Sequence, residues 1–61
     1  MPMTAMQLRR ALKRLAWTQV ELARRLGVDP RTVRKWVLSE RPMSEPAARL
    51  VREWLKSSPA S

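Results

Sequence analysis

The fold is decided by residues 18–36, TQVELARRLGVDPRTVRKW. Thr18 and Glu21 have the spacing of a capping box, in which each side chain satisfies a free amide at the start of a helix. The apolar residues that follow recur at helical spacing and predict one buried face: Leu22, Ala23 and Leu26. Gly27, the only glycine in the chain, comes next, where a helix end needs a left-handed residue. The sequence therefore predicts a helix that begins at Thr18 and ends before Gly27.

A second helix begins almost at once. Asp29 is a good N-cap, and Pro30 suits the first helical position because no amide hydrogen is needed there. The intervening segment, Gly27 to Asp29, is too short to reverse the chain into a long antiparallel pair, so we expect the helices to cross steeply around Val28. The helical period divides the second helix into two faces. The inner face is formed by Val33, Trp36 and Val37, and the outer face by Arg31, Arg34, Lys35 and Leu38.

Two further helices are predicted outside this pair. Thr4 and Gln7 form another capping box, and the apolar positions after it are Leu8, Ala11, Leu12 and Leu15. Residues 39–43 are expected to form a loop, and Ser44 to cap a last helix that carries a broad apolar arc. Trp17 precedes the Thr18 cap, where it is expected to pack rather than to stack on a base.

The sequence as a whole predicts an all-α protein, a compact bundle of about four short helices. No strand pattern, repeat or linker interrupts it, so we expect a single domain over residues 1–58. The polar segment from Ser57 onward is expected to fray, with residues 59–61 as a tail outside the domain.

Composition narrows the possible functions. Lys and Arg number 13 against 5 Asp and Glu, giving a net charge of +8, which favours a polyanionic partner over a merely solubilising role. Cysteine and histidine are both absent, which removes thiolate metal sites and the usual general base, so we expect no enzyme, cofactor or metal. No small-molecule ligand is expected. No apolar run is long enough to cross a membrane, and a cytoplasmic protein is expected.

The residues of the 18–36 stretch closely resemble the Cro/C1-type helix-turn-helix family. The resemblance rests on the Thr-Gln pair, the Glu-Leu-Ala run, the turn glycine, and a Thr-Val followed by a large apolar residue at Trp36. It implies a transcriptional repressor that binds double-stranded DNA, bacterial or phage-encoded and nucleoid-associated, similar to small phage or plasmid regulators. After Trp36 the chain departs from the common glutamate and glycine pattern and continues Val37-Leu38-Ser39, which leaves the end of that helix open.

The resemblance also implies roles for particular residues. The start and middle of the outer face would contact base edges: Arg31, Lys35, Arg34, Pro30 and Thr32. The glutamine that opens the preceding helix would contact phosphate, and the predicted backbone contacts are Thr18, Gln19, Arg24 and Arg41. For the residues predicted to contact base edges, the alternative is an ordinary solvated helix face. For Arg24 and Arg25, a role as surface groups and a role in clamping the DNA backbone are equally favoured.

A homodimer on an inverted repeat is the expected assembly, because one small module offers few base contacts. The apolar arc of the last helix is broader than one small core should need, and the residues predicted at the dimer interface are Leu50, Trp54 and Leu55. Internal packing of the whole arc is the alternative.

Three other functions compete with DNA binding. An antitoxin-like module that masks a partner protein is the main alternative. A membrane-active basic peptide does not explain the helix caps and the turn glycine. RNA binding fits the charge, but it lacks stacking platforms if the tryptophans are buried.

Overall fold

A computed structural model describes residues 3–57 of the chain. They form four helices in the order α1 (Ala5–Leu15), α2 (Gln19–Leu26), α3 (Pro30–Val37) and α4 (Glu45–Ser57). No strand occurs within this range. The all-α fold of four helices is thereby confirmed. Ser57 belongs to α4, so its assignment to the polar tail was wrong, while the predicted tail at residues 59–61 lies outside the described residues.

The N-terminal caps of α1, α2 and α3 follow the sequence with one exception, whereas the predicted Ser44 cap of α4 shows only the backbone bond from the Ala48 amide to the Ser44 carbonyl. The Thr4–Gln7 box is complete, because each side chain accepts from the other residue's backbone amide. At α2 only half of the predicted box forms. The Thr18 hydroxyl accepts from the Glu21 amide at 3.1 Å, but the Glu21 carboxylate turns to Arg24 and Arg25 instead of the Thr18 amide. Two charged hydrogen-bond partners outcompete one neutral amide for an exposed carboxylate.

Three helices end in the same backbone motif. After α2, the amide of Gly27 donates to the Arg24 carbonyl. The amide of Val28 donates to the Ala23 carbonyl at 3.0 Å. This arrangement requires a left-handed residue at the first of the two amides, and Gly27 has φ 74°.

The same turn follows α1 and α3 without a glycine. Ala16 takes φ 59° after α1, and Ser39 takes φ 62° after α3. The backbone amide of the residue that follows closes each turn. Trp17 donates to the Leu12 carbonyl, and Glu40 donates to the Lys35 carbonyl at 2.8 Å. The end of α3, which the sequence left open, is therefore a left-handed turn built on Ser39. Both residues carry the strain of a Cβ in this conformation.

The core takes one fully buried large side chain from every helix: Leu8, Leu22, Val33 and Val51. Ala23 and Ala48 are equally buried. The outer helices close over this centre, since α3 packs against α1 and α2 while α4 packs against α1. Burying each large side chain contributes about 1.5–3 kcal/mol, so a domain this small depends on all four.

The core also contains residues that the sequence did not predict. Met3 and Met43 are both buried, although Met43 belongs to the segment predicted as a loop. Met43 directly precedes Ser44, whose carbonyl accepts from the Ala48 amide at the start of α4. An apolar residue just before the start of a helix often packs against its first turns, which accounts for a buried residue at this position.

The two partly buried tryptophans pack on each other. The Trp17 and Trp54 rings meet edge to face, with centroids 5.3 Å apart. The guanidinium of Arg25 lies 4.2 Å from the Trp17 ring centroid. Trp17 therefore joins the start of α2 to α4 as a packing residue, and the Arg25 guanidinium lies over its ring.

The turn at Gly27 provides the first test of this fold. Gly27→Val should unfold the domain or destabilise it strongly, since a β-branched residue at positive φ is costly, of order 1–3 kcal/mol or more. An added Cβ would meet nothing within 4 Å, so backbone strain alone supplies the cost. Gly27→Asn, which tolerates this conformation, should be much milder. Thermal melting of both variants is the measurement, and an unchanged midpoint for Gly27→Val would contradict the turn.

The two strained turns predict the opposite effect. Ala16→Gly and Ser39→Gly should each raise the stability by up to about 1 kcal/mol, because the relief of left-handed strain exceeds the added entropy of glycine in the unfolded chain. Ala5→Gly, inside the first turn of α1, is the matched control and should lower it. Chemical denaturation would measure all three, and a loss of stability in both turn variants would contradict the account.

Candidate nucleic-acid interface

The helix α3 has two sharply different sides. Val33, Trp36 and Val37 are buried, as predicted, and fix the helix against α1 and α2. The opposite side is exposed and carries Pro30, Arg31, Arg34 and Lys35. Burial of one side therefore determines which charges are presented to solvent.

The start of α3 is held by its cap. Asp29 accepts from the backbone amide of Arg31 at 2.8 Å, and its carbonyl accepts from the Thr32 amide at 2.9 Å. These bonds fix the backbone from which Arg31 projects. Thr32 is half-buried, so only part of its side chain is available for the base contact that the family resemblance implies.

The predicted phosphate contacts Thr18 and Gln19 lie at the start of α2, the helix that packs against α3. Thr18 is exposed and Gln19 is half-buried. The free amides in the first turn of a helix, together with its dipole, favour an anion there. The Thr18 hydroxyl accepts from Glu21 but retains its own proton to donate to a phosphate.

Glu21 ties two arginines together on α2. One guanidinium nitrogen of Arg24 contacts both of its oxygens, at 3.3 and 3.1 Å, and the Nε of Arg25 lies 2.7 Å away. The hydrogen bond from Arg24, followed by the charges of both arginines, holds the pKa of Glu21 below its ordinary value. The two arginines differ in what remains free: the Arg24 side chain is 75% exposed, whereas Arg25 also packs on Trp17. Arg24 is the better placed of the two for a phosphate.

Arg41 lies in the segment that follows α3. The amides of Glu40 and Arg41 both donate to the Lys35 carbonyl, which attaches this segment to the end of α3. Arg41 is exposed. The fold thus places a further cation at the end of α3 away from the Asp29 cap.

Two exposed apolar residues accompany these charges. Leu38 is 45% exposed at the end of the outer face, where the helical period predicted it. Val20 is 62% exposed directly after Gln19, and sequence reasoning did not select it. The sequence signal for Val20 was that it is apolar but lies outside the residues predicted to form the buried face of α2. Both can contact apolar groups of a partner.

The residues predicted at a dimer interface lie on α4, apart from this face. Leu50 is 44% exposed. Trp54 and Leu55 are half-buried and pack against the protein's own core. Part of the apolar arc is therefore used internally.

The helix-turn-helix family model matches residues 8–53, well over half of the chain. The chain belongs to the Cro/C1-type helix-turn-helix family. This match covers α2 and α3 entirely and most of the two outer helices. No curated protein and no solved structure gave a match.

Membership of this helix-turn-helix family settles the general function. Its domains bind DNA and are not enzymes, so the expectations of a DNA-binding, non-enzymatic protein are confirmed. Within residues 3–57, no helix is both long and apolar enough to cross a membrane.

Proposed function

We propose that this domain binds double-stranded DNA sequence-specifically, with α3 in the major groove, and acts as a cytoplasmic transcriptional repressor. The observation that carries the proposal is the exposed cationic side of α3, held outward by the burial of Val33 and Trp36. Helices of this class enter the major groove with their N-terminal residues near the base edges. A protein bound there obstructs transcription from an overlapping promoter.

Base recognition is assigned to the outer side of α3. Arginine and lysine donate to the O6 and N7 acceptors of guanine, which makes guanine the expected base in the site. Arg31 and Lys35 are the principal candidates, because both are exposed and lie one helical turn apart. Arg34 and Pro30 flank them, and Thr32 contributes its exposed portion.

Positioning on the duplex is assigned to contacts with phosphate. Gln19 and Thr18 at the start of α2, exposed Arg24, and Arg41 beyond α3 are the proposed contributors. Such contacts fix register and orientation without carrying sequence information. The net charge of +8 adds attraction that weakens with salt, because bound cations are released from the DNA.

A homodimer on an inverted repeat completes the proposal. Two copies double the base contacts over half-sites about 10 base pairs apart. Leu50 supports an interface on α4 because 44% of its surface is exposed, while the half-buried Trp54 and Leu55 offer only their remaining surface.

The roles of Gln19 and Arg31 should separate in binding measurements. Gln19→Ala should weaken the specific site and a scrambled duplex by similar factors, because its contact is to phosphate. Arg31→Ala should cost about 1–3 kcal/mol on the specific site only, and relax one base pair per half-site. Its melting temperature should not fall, since the side chain points away from the core.

Binding to both duplexes at several salt concentrations measures these effects, after selection of the preferred site from a random duplex pool. Affinity of each variant should fall steeply with salt. If Arg31→Ala and Lys35→Ala each preserve the ratio of specific to scrambled affinity, α3 does not recognise the sequence, and binding rests on charge alone.

The dimer makes a separate prediction. Sedimentation with a palindromic duplex should give two chains per duplex, and Leu50→Glu should abolish the cooperativity between half-sites by placing a charge in the interface. Met6→Glu is the matched control, because Met6 is an exposed apolar residue on α1. A strict one-to-one complex would refute the dimer, and an equal effect of both substitutions would refute the α4 interface.

A further inference from the structure

A groove between α1 and α4 lies outside the proposed DNA contacts. Its volume is about 690 Å³, within the range of about 300–1,000 Å³ that is usual for ligand sites. All of its lining residues come from positions 3–14 and 52–55, and none comes from α2 or α3. The groove is therefore a surface that DNA recognition by α3 does not use.

The floor of the groove is apolar. Met3 and Ala11 belong to the buried core, and Leu55 packs against that core from α4. The surface that these residues leave open is concave and chiefly apolar. An aliphatic side chain inserted there would extend the core and be removed from water, which favours its binding.

Arginines line the same groove. Arg10 and Arg14 stand one turn apart on α1, and Arg52 contributes from α4. Arg52 lies 3.6 Å from Glu45, whereas Arg10 and Arg14 make no ion pair with any carboxylate in the described part of the chain. Like charges at this spacing repel each other along a helix. A negatively charged partner would relieve that repulsion and form charge-assisted hydrogen bonds with both guanidiniums.

We infer that this groove binds an acidic peptide segment of another protein, with an aliphatic side chain on the apolar floor and carboxylates on Arg10 and Arg14. A second copy of this chain fits poorly in the groove itself, because it would bring further positive charge against Arg10 and Arg14. Of the residues proposed for the dimer interface, only Leu55 lines the groove, and the exposed Leu50 does not. A nucleic acid fits poorly as well, since its phosphates would leave the apolar floor uncovered. Sequence-specific DNA binding is not a premise of this inference, and the two can fail separately.

The test compares two variants of the full chain that lose the same charge. Arg10→Gln/Arg14→Gln alters the groove, and Arg31→Gln/Lys35→Gln alters the outer side of α3. The probe is a short synthetic peptide of aspartate, glutamate and leucine, with a second peptide of equal charge in which serine replaces each leucine. Binding is measured by fluorescence anisotropy, and the site is mapped by amide chemical shifts. Thermal melting confirms that both variants are folded.

The leucine peptide should bind the wild-type chain and the α3 variant alike, and lose about tenfold or more in affinity for the groove variant. The serine peptide should bind far more weakly to every form. Amide shifts should concentrate on the residues between Gln7 and Arg14 and around Leu55. The groove variant should keep the DNA preference of the wild-type chain, which separates this result from the fate of the proposed repressor function.

Several outcomes would overturn the inference. Equal losses in the two variants would indicate attraction by net charge alone. Equal binding of the two peptides, or no binding of the leucine peptide, would show that the apolar floor of the groove does not bind an aliphatic side chain. Self-association that disappears in the groove variant would assign the groove to a second copy of the chain. A loss of DNA affinity in the groove variant as large as that in the α3 variant would assign it to nucleic acid.

Discussion

The left-handed turn at Gly27 is the constraint on which the rest of the structure depends. It ends α2 by two backbone hydrogen bonds, one of which joins Val28 to Ala23 at 3.0 Å. The chain then enters α3 within two residues, at the Asp29 cap. A connection this short fixes how α3 lies against α2, and hence which of its sides is buried. The direction of the cationic side is thus a consequence of backbone geometry, with no contribution from the charges themselves.

Packing of the core holds α3 in the orientation that the turn sets. Val33, Trp36 and Val37 are all buried on the inner side of α3, so α3 cannot rotate without exposing apolar surface. Every described cation stays at the surface, since no polar or charged side chain is buried within residues 3–57. These positive charges are therefore available to bind a partner, and folding does not pay a desolvation cost for them. A small domain with little stability to spare gains by keeping its packing and its binding chemistry on separate sides of one helix.

Much of this was predictable from sequence because the decisive signals are local. Caps, helical period and the single glycine determine the helices and the buried side of α3. What sequence reasoning missed depends on competition or on tertiary contacts. The Glu21 side chain has two arginines as rivals to the Thr18 amide, and only the structure shows which partner prevails. The left-handed Ala16 and Ser39 are not favoured by their own residue types, and the conformation occurs where backbone hydrogen bonds close a turn. Individual base contacts depend on a partner, so their assignment stays a proposal.

The central claim is that α3 approaches DNA through the major groove, and chemical interference tests it most directly. A selected duplex is lightly methylated at guanine N7, which faces the major groove, and at adenine N3, which faces the minor groove, and bound and free fractions are compared. We predict that N7 methylation of guanines within each half-site prevents binding, while N3 methylation of adenines there has little effect. Interference confined to adenine N3, with guanine N7 methylation tolerated throughout, would contradict the account.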